Sequence, residues 1–190
     1  MWPWEHLALS YIAVSLLWRL AGRRVDDWTA VTVFVASQLP DVVDKTLAWY
    51  FGVFPSGRGP FHSVFVALAV SVVVIAVARY RQRLELGLAF AVAYLFHLFG
   101  DALPKILQGR YEDITFLLWP VLPFAEYEGM GSVMESLREL LASPMTYLTT
   151  GSYRTAILGA VLVVWAADGF PGVVGVGRYL TRRVRTSVAD

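Results

Sequence analysis

The sequence predicts an all-α protein, a polytopic transmembrane helix bundle of about five spans with short interfacial helices, and three observations carry that expectation. Hydrophobic residues make up 57% of the 190-residue chain, above the roughly 45–50% of ordinary soluble domains, and seven of the residues are Trp. The mean hydropathy is +0.55. The apolar residues fall in runs bounded by clusters of arginine, the pattern of helices that cross a bilayer and end at its charged face. The 16 Lys+Arg nearly balance 15 Asp+Glu, and no basic stripe interleaved with aromatics occurs, so a nucleic-acid partner is not expected. The chain has no cysteine, which excludes disulfides, thiolate metal ligands and thiol nucleophiles.

In chain order, residues 6–20 form the first apolar segment and end in Arg19, Arg23 and Arg24. The segment lacks a basic leader and a small-residue cleavage site, so it reads as a retained helix that is its own targeting signal. Residues 28–39 form a shorter second segment. Pro40 disfavours helix at Leu39, so a break is expected there, with Asp41 and Asp44 in the first turn of a fresh short helix over 41–51. Residues 52–60 are dense in turn formers. The clearest span is 61–78, polar only at His62, Ser63 and Ser71, and Arg79, Arg81 and Arg83 follow it.

Residues 84–103 return across the membrane. Residues 104–150 are more polar, with a proline-broken stretch at 114–124 expected to lie in the interface or re-enter, and an amphipathic helix at 133–141. A last span is expected over 153–167, continuing irregularly through a glycine-rich stretch to the basic tail at Arg178, Arg182, Arg183 and Arg185. No repeat or linker divides the chain, so residues 1–190 read as one integral membrane domain. The three arginine clusters hold ten of the sixteen basic residues, and the positive-inside rule places them in the cytoplasm. Five spans then put the N-terminus outside and the C-terminus inside, in the cell membrane.

That arrangement brings the rare polar groups to one rim. His6 opens span one, Asp41 and Asp44 follow span two, His62 opens span three, and His97 and Asp101 close span four. The last two are four residues apart and share a helix face. Imidazole and carboxylate together suit a divalent cation, zinc first, with manganese or iron as alternatives, in one or two sites. Bound metal would acidify water for hydrolysis, with Glu5 or a carboxylate outside the ligand set as general base and Arg58 holding an anionic group such as phosphate. Each residue also has a structural reading: Asp41 and Asp44 suit a helix N-terminus, His62 a cap, His6 the water interface and Arg58 a solvated loop. His97 is the hardest to explain so, because Leu95, Phe96, Leu98 and Phe99 around it are apolar.

The order of the motifs resembles a known family. An N-terminal His, Leu39-Pro40-Asp41-x-x-Asp44, Arg58-Gly59-x-x-His62-Ser63, His97-x-x-x-Asp101 and Leu117-Leu118-Trp119-Pro120 are together similar to the YdjM-like membrane-bound proteins regarded as metal-dependent hydrolases. The resemblance covers about residues 5–124 and implies that His6, Asp41, Asp44, His62, His97 and Asp101 are the metal-site positions. Where such proteins read His-Arg-Gly-x-Thr-His-Ser, this chain has Gly57-Arg58-Gly59-Pro60-Phe61-His62-Ser63, lacking one histidine and one threonine. Fewer ligands would favour a single metal or weaker binding. A Pro-Ser-Gly element at 55–57 resembles that of membrane lipid phosphatases and His97-x-x-x-Asp101 resembles their last motif, but Arg58 stands where they have His, no Ser-Arg pair lies shortly before His97, and no Lys…Arg-Pro element precedes.

The expected function is therefore a membrane-bound metal-dependent hydrolase acting on a phosphoester or other ester at the bilayer surface, with the lipid bilayer and a membrane-associated substrate as partners. Two alternatives come from other classes. One is a metal-binding or structural membrane protein without catalysis, and the other a cation- or proton-coupled carrier.

Overall fold

The computed structural model describes residues 2–54, 56–123, 153–173 and 175. Among them every regular element is helical: α1 (Pro3–Leu20), α2 (Asp27–Lys45), α3 (Val64–Tyr80), α4 (Leu84–Leu107) and α5 (Tyr153–Ala167), with short turns between them. The expected helix at 133–141, Phe124 and the basic tail lie outside the described residues.

Local chemistry sets most boundaries. Helix α1 starts one turn before the expected residue 6, because Pro3 suits a first turn and Glu5 Oε2 accepts the Trp2 backbone N–H at 2.7 Å. Gly22 ends it at φ +69°, a conformation that favours glycine. Asp26 caps α2 by accepting the Thr29 N–H at 2.8 Å, and Ser63 caps α3 by accepting that of Phe65 at 3.2 Å.

The expected break at Pro40 does not occur. Helix α2 continues through Pro40 to Lys45, and only then does a wide π-turn, Thr46–Tyr50, lead into the loop. Proline removes one helix hydrogen bond and crowds the carbonyls of the preceding turn. The N–H that Pro40 lacks would have bonded the Ala36 carbonyl, and the next carbonyl along, that of Ser37, accepts from His97 Nδ1 on α4 at 2.7 Å. The stretch expected to lie in the interface begins as a 3-10 helix, Tyr111–Leu118, and is followed by a cis Trp119–Pro120 bond.

Helix α4 is central, packed against α1, α2 and α3, while α5 lies on α1. Tyr11, Val14, Val33, Ala36, Ala67 and Tyr94 are among the buried side chains between them. Alanine and glycine let the backbones approach: a Cβ on Gly87 would stand 2.8 Å from the Ile75 Cα. Outward-facing Phe65, Leu68, Val72, Val73 and Val77 make most of α3 an apolar surface, whereas His6, Ser10, Asp44, His62 and His97 are fully buried. Polar groups inside and apolar groups outside is the arrangement a lipid solvent selects. By length and composition α4 alone among the described helices is long and apolar enough to span a membrane; Val64–Tyr80 and Thr155–Ala167 are apolar but shorter.

A polar cluster at the far end fixes α5. Asp168 accepts from Tyr11 Oη at 2.9 Å, Ser15 Oγ at 2.6 Å and Arg19 Nη2 at 2.6 Å. The Gly172 N–H reaches Asp27 Oδ1 at 2.6 Å.

Candidate metal centre

Four chain segments deliver the site. Helices α1 and α3 start at it and α2 and α4 end at it, so antiparallel packing gathers His6, Asp41, Asp44, His62, His97 and Asp101 at one end of the bundle. Spacing within α4 places His97 and Asp101 one turn apart, and spacing within α2 does nearly the same for Asp41 and Asp44.

The two central imidazoles have fixed orientations. His62 Nδ1 lies 2.7 Å from Asp44 Oδ2, and His97 Nδ1 lies 2.7 Å from the Ser37 carbonyl oxygen. Both partners are acceptors, so both Nδ1 atoms carry the proton. Each Nε2 then presents its lone pair, and the two Nε2 atoms face each other at 3.2 Å. Such a contact requires a shared proton or a metal cation.

Other donors close around that point. His62 Nε2 lies 3.5 Å from both Asp41 Oδ1 and Asp101 Oδ2, and Asp101 Oδ1 lies 3.4 Å from His6 Nε2. The His6 ring stacks on His97 at 3.9 Å, and neither of its nitrogens makes a hydrogen bond among the described residues. An unsatisfied buried imidazole is costly unless it serves as a ligand. Two triplets, His6–Asp41–His97 and His62–His97–Asp101, each have ligand atoms within 4.8 Å of one another. Tetrahedral bonds of about 2.0–2.1 Å put donor atoms roughly 3.3–3.4 Å apart, so separations of 3.2 to 3.5 Å fit a zinc-sized ion.

Asp44 is built in differently. Its Oδ1 accepts the Phe61 N–H at 3.2 Å, and its Oδ2 accepts both the His62 N–H at 3.1 Å and the His62 ring. It therefore holds the Pro60–His62 turn against α2 and orients the imidazole, the place of a carboxylate behind a metal-binding histidine. Gly59 leaves room for it, since a Cβ there would meet Asp44 Oδ1 at 2.9 Å. His62 sits in this turn, ahead of α3. Burial works against its charged form, but Asp41 and Asp44 outweigh burial and hold its pKa above the ordinary imidazole value.

Glu5 is fully buried and serves the α1 start as described above, beside His6. Arg58 Nε donates to Asp101 Oδ2 at 2.9 Å, and its guanidinium lies 5.4 Å from the Phe116 ring centroid. Reading the sequence missed three contributors. Lys45 Nζ is 2.7 Å from Asp41 Oδ2, a pairing that the i,i+4 spacing made available. Phe116 is buried and meets the His62 ring edge-on at 6.1 Å. The Ser37 carbonyl had one faint signal, its position three residues before a proline inside a helix.

A family model described as YdjM inner membrane protein matches residues 1–177. The chain belongs to the YdjM inner membrane protein family. This membership agrees with the motif order and places the protein among inner membrane proteins. No curated protein and no solved structure shows significant similarity to the chain.

Proposed function

We propose that this YdjM-family protein is a membrane-embedded, metal-dependent hydrolase whose centre is held by His6, Asp41, His62, His97 and Asp101. The observation that carries this reading is the His62–His97 contact, two orientation-locked imidazole nitrogens facing each other at 3.2 Å beside a histidine with no hydrogen bond among the described residues. Three nitrogens and carboxylate oxygens suit zinc, and manganese or iron share the preference. A divalent ion held there would supply water acidified from a pKa of about 15.7 towards about 7.

The protein's own groups do the rest. Asp41 and Asp101 each lie 3.5 Å from His62 Nε2, and whichever is left outside the ligand set is within reach to accept a proton from water at that point. Asp44 and the Ser37 carbonyl keep the imidazole Nε2 lone pairs aimed inward. Glu5 secures the helix start that carries His6, and this positioning role suits it better than that of a base. Phe116 walls the site beside His62 and excludes water from that side.

The reading places five spans in the cell membrane with the centre on the outer side. Its support is the direction of the helices: Arg19, Arg79, Arg81 and Arg83 sit at the helix ends remote from the centre, where the positive-inside rule expects the cytoplasm. A shorter helix within a bundle is compatible with spanning, because the bilayer and helix tilt adjust to modest mismatch.

A second reading, a metal-binding membrane protein without catalysis, is favoured by residue 57. A Cβ on Gly57 would meet Lys45 Cγ at 2.9 Å and the Trp49 ring at 3.2 Å, so a histidine has no space here. Elemental analysis of the purified protein beside His97→Ala, followed by an ester and phosphoester panel on metal-loaded protein, separates the two. The hydrolase reading expects bound transition metal, its loss in His97→Ala, and turnover that disappears with it. Metal that survives the substitution would refute the centre, and metal without turnover would leave the non-catalytic reading.

A further inference from the structure

The charges touching the imidazoles and their carboxylates do not balance. Among the side chains of the described residues, three carboxylates meet His62, those of Asp41, Asp44 and Asp101, and two cations are paired with them, Lys45 and Arg58. In the bare site the proton shared by His62 and His97 brings this sum to zero, and a single divalent cation in its place brings it to one positive charge. The loaded centre therefore favours an anion, whereas the bare one has no positive charge to spare.

The two cations are also its outermost members. Lys45 and Arg58 side chains are 32% and 25% exposed, against 9% and 4% for the carboxylates they touch. Each is paired with a carboxylate that lies 3.5 Å from His62 Nε2, and each is more exposed than that carboxylate. Gly57, without a side chain, lets the loop carrying Arg58 lie against the Lys45 stem. The surroundings are apolar: Lys45 Nζ is 5.8 Å from the Trp49 ring centroid, and the same π-turn ends in Tyr50, which with the following Phe51 is 86% and 67% exposed. On the Arg58 side lies the Phe116 ring. π-turns of this kind recur at functional sites.

We infer that Lys45 and Arg58 form a two-pronged receptor for the phosphate of an amphiphilic phosphoester, a lipid headgroup whose tails lie along the Trp49–Phe51 turn. Arginine offers a planar fork to phosphate oxygens and lysine a compact point charge, so the two grip one tetrahedral anion from different sides. The inference rests on the metal-centre reading, since only the loaded site carries positive charge to spare. A soluble phosphate monoester has the same anionic chemistry, and the exposed aromatic turn is what favours the lipid-borne source.

Phosphorus NMR on the full chain, loaded with Mn2+ in a phosphate-free maltoside detergent, reads the contact directly, because bound manganese broadens the signal of inorganic phosphate nearby. The expected result is saturable broadening, with phosphate affinity lowered about tenfold or more in Lys45→Ala and in Arg58→Gln at undiminished bound Mn2+, and partly restored in Lys45→Arg. Short-chain phosphatidic acid should displace phosphate at about tenfold lower concentration than glycerol phosphate does. Bound Mn2+ without broadening, or with broadening that neither substitution weakens, overturns the receptor and leaves the metal centre standing. Equal displacement by the two esters overturns the lipid source. Failure to bind Mn2+ overturns the metal centre itself.

Discussion

Removing the cation should destabilise this protein, and His97→Ala should make it indifferent to the removal. Without metal, the facing Nε2 atoms of His62 and His97 must share a proton, and His6 has no hydrogen bond among the described residues. With metal present at a hundredfold excess over its dissociation constant, binding to the folded state contributes about 2.7 kcal/mol. For a chain of this size that corresponds to a Tm rise of roughly 5–10 °C. His97→Ala removes a nitrogen common to both ligand triplets and leaves the Ser37 carbonyl without its 2.7 Å partner. An unsatisfied buried acceptor costs about 1–3 kcal/mol, so the variant should melt below wild type even in chelator. Differential scanning fluorimetry in detergent, with and without chelator and then with Zn2+ restored, reads all four states. A wild-type Tm that ignores both chelator and Zn2+, or a His97→Ala protein that keeps the full metal shift, would refute the reasoning.

Asp44→Ala removes the acceptor of two backbone N–H groups and of the His62 ring together, so metal affinity should fall about 10–100-fold, measured by competition with a chelating dye. Pro40→Ala restores an ordinary helical turn and draws the Ser37 carbonyl back from His97; affinity should drop about tenfold while the helix content by circular dichroism holds. Lowering the pH should release metal, because the carboxylates raise the pKa of His62 and a proton then competes for the same nitrogen; occupancy independent of pH between 5 and 8 would contradict this. Ser71→Ala, which removes a buried hydroxyl without a hydrogen bond in α3, should leave Tm unchanged or raise it slightly.

Much of this was readable in the sequence because a membrane helix punishes polar residues. The chain's three histidines stand at the rims of apolar runs, and four alternating helices oblige those rims to meet. Residue identity alone does not separate a ligand from its support. Asp41 and Asp44 look alike in Leu39-Pro40-Asp41-x-x-Asp44, yet one faces His62 Nε2 and the other receives the Nδ1 proton and two backbone amides. That difference depends on where the 59–63 turn comes to rest, which no spacing rule encodes. Pro40 misled for a related reason. A local rule predicts a helix end there, whereas an acceptor-seeking imidazole on a neighbouring helix makes a continuous helix favourable.

The same interaction gives Pro40 a role in the centre. A histidine on α4 would bind metal through Nε2 only if Nδ1 holds the proton, and a helix carbonyl can keep it there through its second lone pair, as the Ala93 carbonyl accepts Ser10 Oγ at 3.0 Å. Proline at 40 has no N–H for the Ala36 carbonyl and crowds it, and the adjacent carbonyl, that of Ser37, meets His97. His62 obtains the same service from Asp44, a charged acceptor, and its neighbour Asp41 is counterbalanced by Lys45. One imidazole is thus held by a neutral carbonyl deep in the bundle and the other by a carboxylate near its rim. Burying a second carboxylate behind His97 would add a negative charge with no cation beside it, a cost the carbonyl avoids. The helix-breaking residue and the buried histidine are therefore best understood together, and replacing Ser37 and Pro40 in turn should show it: Ser37→Ala keeps the carbonyl and should keep metal affinity, while Pro40→Ala should not.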